Sequence, residues 1–332
     1  MYRMTRSLAD VTSVVGNTVL RRLATPPWTQ TIGIARSVLA CGTALTLLAN
    51  PTWILFRSPT GGASAYCGAL GGHLSLFCIV PSSQLDVARA IAVALLLVVA
   101  SGWRPRLTGL FHWWVSYSFY VSGRVTDGGE QVTALITFLL LPAVLTDPRT
   151  WHWRPPARVE PQSEREALSR LVAYTALCLI QLQVSVIYLD ACIEKIRVAE
   201  WLDGTVMYYV LTNNLFGPMA ALKAMLLPLL SSPLVVAVTW PSLILEFLLG
   251  INIVLSRPLR GVLFVAGVLF HAIIAALIGI PTFAMAMWAV LLLGVLPIGT
   301  SLRRAIPKRH ARFAHNLRVG APAGPLPVAE SM

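Results

Sequence analysis

The sequence predicts an all-α fold: a polytopic integral membrane helical bundle of about eight transmembrane helices plus a re-entrant or interfacial broken helix. Three observations predict it. Of 332 residues, 56% are hydrophobic and only 12% are charged, roughly half the ~25% of an ordinary soluble domain. Mean hydropathy is +0.70, and a soluble globule this apolar could not cover its surface with polar groups. Apolar segments recur from residue 31 to residue 299, and each span needs about 20 such residues. These facts exclude a soluble enzyme, a nucleic-acid-binding domain, a disordered chain and a single-span anchor carrying a large soluble domain.

Residues 1–30 form a basic arm with Arg3, Arg6, Arg21 and Arg22, ending in Pro26-Pro27. No apolar core with a cleavage site follows directly, so the arm reads as cytoplasmic rather than as a signal peptide. The transmembrane domain is expected over 31–300. Its apolar segments lie at 31–55, 85–103, 107–122, 131–146, 168–190, 205–230, 233–256, 261–279 and 281–299. The tail, 301–332, carries Arg303, Arg304, Lys308, Arg309, Arg312 and Arg318, then a Pro/Ala/Gly-rich end of disordered composition. No internal repeat is visible.

Charge decides which segments span. The formal net charge is +12, and in multispanning proteins Lys and Arg accumulate on the cytoplasmic side. If 205–230 does not cross, eight helices place both termini inside, with 19 basic residues inside and 5 outside. If it crosses, the count is 12 against 12. The first arrangement is preferred. Asn213-Asn214 and Gly217-Pro218 interrupt the segment, which suits a broken hairpin better than a continuous lipid-facing helix. The same topology puts Cys67 and Cys78 outside, where an oxidising compartment allows a disulfide. Closing so short a loop contributes about 3 kcal/mol; the alternative is two free thiols in a loose loop. There is no CxxC, and His73 in the cysteine loop has no partner at metal-ligand spacing, so no metal site is expected.

Ionisable groups at bilayer depth are candidates for function. Glu246 is eleven residues before Arg257 and His271 eleven after Arg260. At ~1.5 Å per residue both lie about 16 Å from the inner surface, near the middle of a ~30 Å core. They are expected to face one another or share a polar cavity, as a proton-handling or ligand-anchoring pair or as a structural hydrogen bond between helices. A second cluster marks the outer end of the fifth helix. There Asp190, Glu194 and Arg197 share one face, while Lys195 lies below Tyr188, Ala191 and Cys192 on a largely apolar stripe. Without an in-register acid, Lys195 is a usable base if desolvated, or an interfacial lysine reaching for the outer surface. Arg36 and Arg89 are expected to snorkel, and His112 in Phe111-His-Trp-Trp114 to sit in an aromatic belt. Glu130 of Asp127-Gly-Gly-Glu130 suits a helix start. No Walker, GxSxG, HExxH or GxGxxG motif occurs.

The run Lys195-Ile-Arg-Val-Ala-Glu-Trp-Leu-Asp-Gly-Thr-Val-Met-Tyr-Tyr209, preceded by Tyr188, resembles the Lys…Trp-x-x-Gly…Tyr block of the HTTM family, the transmembrane proteins related to vitamin K-dependent gamma-carboxylase. Phe270-His271 with Ile278-Gly-Ile-Pro-Thr-Phe283 resembles that family's Phe-His…Ile-Gly…Phe block. Gly128-Gly129-Glu130 resembles its Gly-Gly-Asp turn, with Glu in place of Asp. The likeness covers about 31–300. Ser75-Leu-Phe-Cys78 and Trp201-x-x-Gly204…Tyr208-Tyr209 look most like the sporulation-delaying protein B branch. That resemblance implies a bacterial membrane protein needed to mature or export a secreted peptide toxin. It would act with the toxin precursor and a small companion protein, engaging ligand through Tyr188, Trp201, Gly204 and Tyr208. The peptide would meet an outward-facing cavity built by 188–218 and the cysteine loop. The carboxylase comparison implies a different activity: a membrane enzyme using a reduced quinone, with Lys195 as base and Glu246 and His271 in the cofactor pocket. Against it, the carboxylase's paired lysines are Glu194-Lys195 here and its large external domain has no counterpart. A non-catalytic binder or transporter is the third possibility, with Glu246 and His271 as its docking pair; the missing repeat symmetry weighs against transport.

Overall fold

In the computed structural model of the chain, residues 24–59, 61–68, 71–155, 161, 163–214 and 217–300 are described. Most of the basic arm and the whole basic tail lie outside them. Ten helices of seven or more residues carry the described fold. They are α1 (Gln30–Ala49), α2 (Leu85–Ser101), α3 (Pro105–Ser122), α4 (Gly128–Leu145), α5 (Glu164–Ile196), α6 (Val206–Thr212), α7 (Ala220–Leu230), α8 (Val236–Gly250), α9 (Arg257–Ile278) and α10 (Pro281–Gly294).

Six helical stretches among the described residues are long and apolar enough to cross a membrane: Gln30–Ala49, Ser82–Ser101, Gly128–Leu145, Glu164–Ile196, Pro233–Gly250 and Arg257–Ile278. The chain is a multi-pass membrane protein. Two of the eight expected spans fall short by that measure. α3 is interrupted by Arg106, Thr108, His112, Ser116 and Ser118, and α10 has 14 residues. Position explains α10: it packs against α1, α4, α5 and α9. Nine of its residues are buried, Ala284, Ala286, Met287 and Ala289 through Gly294. A helix apolar on every side is stable where other helices surround it. Close approach needs a small residue: a Cβ on Gly294 would lie 2.5 Å from Val184 Cβ on α5.

α9 is the opposite case. Its fully buried residues form one stripe, Arg260, Leu263, Gly267 and His271, at helical spacing. The stretch 205–230 does not form one helix. α6 ends at Thr212 and α7 starts at Ala220, so the Asn213-to-Pro218 interruption acts as the sequence suggests. The two short helices pack Leu211 and Leu230 on Val235 and Leu277, at the start of α8 and the end of α9.

Cys67 and Cys78 are disulfide-bonded, with Cα atoms 5.8 Å apart. Their loop is anchored by Phe56 and Phe77 against Phe119 of α3, with ring centroids 4.8 to 6.4 Å apart.

Two expectations for polar residues fail. Arg36 does not snorkel. It is 1% exposed and donates to Thr108 Oγ1 at 3.1 Å and His152 Nδ1 at 3.3 Å. Nor does His112 belong to an interfacial belt. It is buried, because α3 turns it toward Arg36 and His152. Arg89 reaches the end of α1, donating to the Leu47 and Asn50 carbonyls.

Candidate functional site

α4, α5, α6, α8, α9 and α10 enclose a cavity of about 770 Å³. Its walls are mostly aliphatic and aromatic, among them Ile187, Leu245, Phe270, Ile274, Phe283 and Met287. One side is polar. There α5 supplies Tyr188 and Lys195, α8 supplies Ser242 and Glu246, and α9 supplies His271.

Register places these groups. Tyr188, Ala191 and Lys195 follow at i, i+3 and i+7 along α5 and all line the cavity, so the apolar stripe carrying Lys195 faces inward. The lysine is not without an acid. Its Nζ pairs with Glu246 Oε1 from α8, and lies 5.1 Å from the Trp201 ring centroid, within reach of a cation–π interaction. Asp190 and Glu194 could not serve, because they occupy another face of α5. Glu194 instead pairs with Arg197 outside the cavity.

Lys195 stands in the last turn of α5, one residue before the helix ends, and from there reaches a glutamate of α8. α5 is 33 residues long, about 50 Å, which exceeds a ~30 Å hydrocarbon core. Cross-links tie it to its neighbours: Gln181 Nε2 donates to the Leu296 carbonyl past the end of α10. Asn252, just past the end of α8, lies 3.4 Å from Ser185 Oγ.

Glu246 and His271 line the same cavity without a hydrogen bond between them. The His271 ring bonds its own helix instead, Nδ1 donating to the Gly267 carbonyl at 2.8 Å. That fixes the tautomer: with the proton on Nδ1, Nε2 is the acceptor. Tyr188, Phe270 and Phe283 surround the ring at centroid distances of 6.2, 5.1 and 6.0 Å. Two buried polar atoms of the lining have no protein partner, Tyr188 Oη and Glu246 Oε2. Buried polar groups are ordinarily satisfied, so a donor and an acceptor stand ready for a ligand's polar group.

Of the residues expected to engage ligand, Tyr188 and Trp201 line the cavity. Gly204 and Tyr208 do not. Gly204 makes the turn after Trp201, with φ +82°, where an added Cβ would lie 3.0 Å from Val236 and 3.2 Å from Trp240. Tyr208 packs edge-to-face on Tyr209, while its neighbours Met207, Val210 and Leu211 face the cavity. The cysteine loop is absent from the lining, because its phenylalanines are spent against α3. Glu130 closes a capping box, its carboxylate accepting from the Asp127 amide at 3.0 Å, and this sets Gly128 against Phe283 at the cavity wall. No group of three potential metal-ligating side chains occurs among the described residues.

Sequence reasoning missed a second polar assembly, at the opposite end of the bundle from α6 and α7. Asp147 and Arg149 form a buried ion pair at 2.7 Å, and Arg149 also donates to the His152 carbonyl. His152 accepts from Arg36 through Nδ1 and meets Ser37 Oγ through Nε2 at 3.3 Å. Burial, with Arg36 and Arg149 nearby, lowers its pKa to about 3. The neutral ring therefore ties α1, α3 and the loop after α4 together. A lone histidine in a loop between two tryptophans gave no pattern that pointed to it.

Comparison with known proteins adds an independent line. The HTTM domain family matches residues 156–297. The uncharacterized protein YitO of Bacillus subtilis (strain 168) is 36% identical over 279 residues, covering 83% of this chain and 88% of that protein. Sporulation-delaying protein SdpB of the same strain is 33% identical over 274 residues, covering 82% of this chain and 83% of SdpB. No solved structure matches.

Proposed function

Because the chain belongs to the HTTM family, in its SdpB branch, we propose that it is a membrane factor for the maturation or export of a secreted peptide toxin, and that the cavity between α5, α8 and α9 is where the precursor engages. The observation that carries this is the composition of that cavity. It is large and apolar, and one wall holds an ion pair together with the orphaned Tyr188 hydroxyl and Glu246 Oε2. An apolar peptide segment would fill such a volume. Its backbone polar groups, costly to bury unpaired, would find a donor and an acceptor. The precursor and a small companion protein are the expected partners. The charge count supports a topology with both termini cytoplasmic and α6–α7 on the outer side.

The test is co-expression of a toxin precursor with the full chain or with an Ala191→Trp variant that fills the cavity. The wild type should release active toxin. The variant should accumulate precursor at equal membrane abundance. Equal toxin release would reject the assignment.

A second reading, a quinone-dependent enzyme, is favoured by the same polar wall. A reduced quinone ring is apolar with two hydroxyl groups, and Glu246 Oε2 and Tyr188 Oη are suited to hold them. Such a cofactor would supply redox chemistry when bound, while Lys195 and Glu246 hold a proton between them. A Lys195→Ala variant that stays folded and fully active would remove this reading.

A further inference from the structure

A second site lies between α4 and α5, away from the cavity described above. Part of it is a bare apolar groove of about 740 Å³, lined by Phe138, Leu141, Leu145, Leu171, Val172 and Leu179 among others. Its origin is local. Pro142 lies within α4, and Thr175 and Ala176 present small side chains to it from α5, leaving the space between the larger side chains unfilled. The lining from Leu171 to Leu179 runs about 12 Å along the helix, most of the depth of one leaflet of a ~30 Å core.

The groove does not end in apolar residues. The next residues along both helices, Thr146 after Leu145 and Arg170 before Leu171, line a separate hollow of about 350 Å³. That hollow holds three arginines from two helices, Arg106, Arg165 and Arg170, with Ser163 and Ser169, and one acid, Glu166. Arg170 engages Glu166 at 2.9 Å. Arg106 is exposed and anchored by a bond to the Thr146 carbonyl at 3.2 Å. Arg165 is exposed as well, and it stands seven residues before Val172, on the same stripe of α5 that lines the groove. An unbalanced positive charge thus sits at the head of an acyl-sized channel.

We propose that this groove and hollow together form a binding site for one anionic diacyl phospholipid. The phosphate would be held by Arg106 and Arg165 and the chains laid between α4 and α5. Arginine suits the task because its planar donors meet phosphate oxygens in pairs. The arginine-rich end is the one the charge count assigns to the cytoplasmic leaflet, whose anionic lipids attract basic segments. A zwitterionic lipid would bring its quaternary ammonium beside these arginines, and that repulsion would offset the phosphate contacts.

The test uses the purified full chain in a nonionic detergent, titrated with phosphatidylglycerol, phosphatidylcholine or glycerol 3-phosphate and read by native mass spectrometry. Phosphatidylglycerol should bind with one-to-one stoichiometry and at least tenfold more tightly than phosphatidylcholine. Arg106→Gln with Arg165→Gln should erase that preference, weakening phosphatidylglycerol far more than phosphatidylcholine. Ala176→Trp, which fills the groove, should weaken both lipids. Since Arg106 also holds Thr146, the single Arg165→Gln change is the control against misfolding, and it should reduce the preference at least threefold. Equal binding of the two lipids, an undiminished preference in the arginine variants, or glycerol 3-phosphate competing as well as the intact lipid would each overturn the proposal.

Discussion

Breaking the Lys195–Glu246 pair separates its energetic role from its functional one. The Glu246 side chain is 7% exposed and that of Lys195 25%. Removing one partner from a buried ion pair costs roughly 3–5 kcal/mol, because the other charge is stranded. Lys195→Met strands the nearly buried glutamate, and about 3 kcal/mol is expected. Glu246→Met strands the ammonium, which keeps a quarter of its surface, so water relieves part of the cost and about 2 kcal/mol is expected. At a few degrees per kcal/mol, each single change lowers Tm by roughly 5–10 °C. The double change removes both charges and fills the space with methionine, a substitution that is often neutral or stabilising for buried pairs. Thermal unfolding of the detergent-solubilised chain, followed by loss of the monodisperse elution peak, measures all three. The double variant should recover most of the loss, giving a coupling energy of about 4–5 kcal/mol. If the two single losses simply add, or if each stays below about 0.5 kcal/mol, the pair is not the buried unit described here. A double variant that regains stability but releases no active toxin would place the pair in function as well as in folding.

Acid should destabilise the assembly around His152. The imidazole takes a proton near pH 6.5 when unfolded but only at about 3 in the fold. Between those values the unfolded chain binds the extra proton, so stability falls as pH falls, by up to about 1.4 kcal/mol per unit, and is unaffected above about pH 7. The Tm difference between pH 7 and 5.5 should shrink in His152→Gln; an identical slope in the variant would exclude this histidine as the cause. Replacing Cys67 and Cys78 by serine should remove about 3 kcal/mol and abolish the effect of reductant on proteolysis of the 56–81 loop, and loop cleavage insensitive to reductant in the wild type would contradict the bridge. Gly294→Leu should overpack the α5–α10 contact and cost about 1–3 kcal/mol, visible as a lower Tm, whereas a wild-type Tm would show that the helices can separate there freely.

How much of this was legible in the sequence depended on which coordinate of a helix was being read. Position along the chain was legible. Apolar runs located the helices, and Asn213-Asn214 with Gly217-Pro218 located the break between α6 and α7. The meeting of α8 with α9 was legible too: Glu246 and His271, counted from Arg257 and Arg260, line one cavity. For α5 the partner was the illegible part. Lys195 does stand in the last turn of that helix, but its acid comes from α8, whereas helical spacing points only to residues of the same segment, so the acid was sought on its own helix. Rotation was the least legible coordinate. Helices that are apolar on most faces, such as α4 and α10, carry little contrast between buried and lipid-facing sides, and the aromatic run around His112 looks the same whether it faces lipid or core. Charge is what breaks the degeneracy. An unpaired acid and an unpaired base in neighbouring apolar helices are each too costly to leave alone, so Lys195 and Glu246 were the pair to match first. His271, which can satisfy itself on the Gly267 carbonyl four residues earlier, had no need of either.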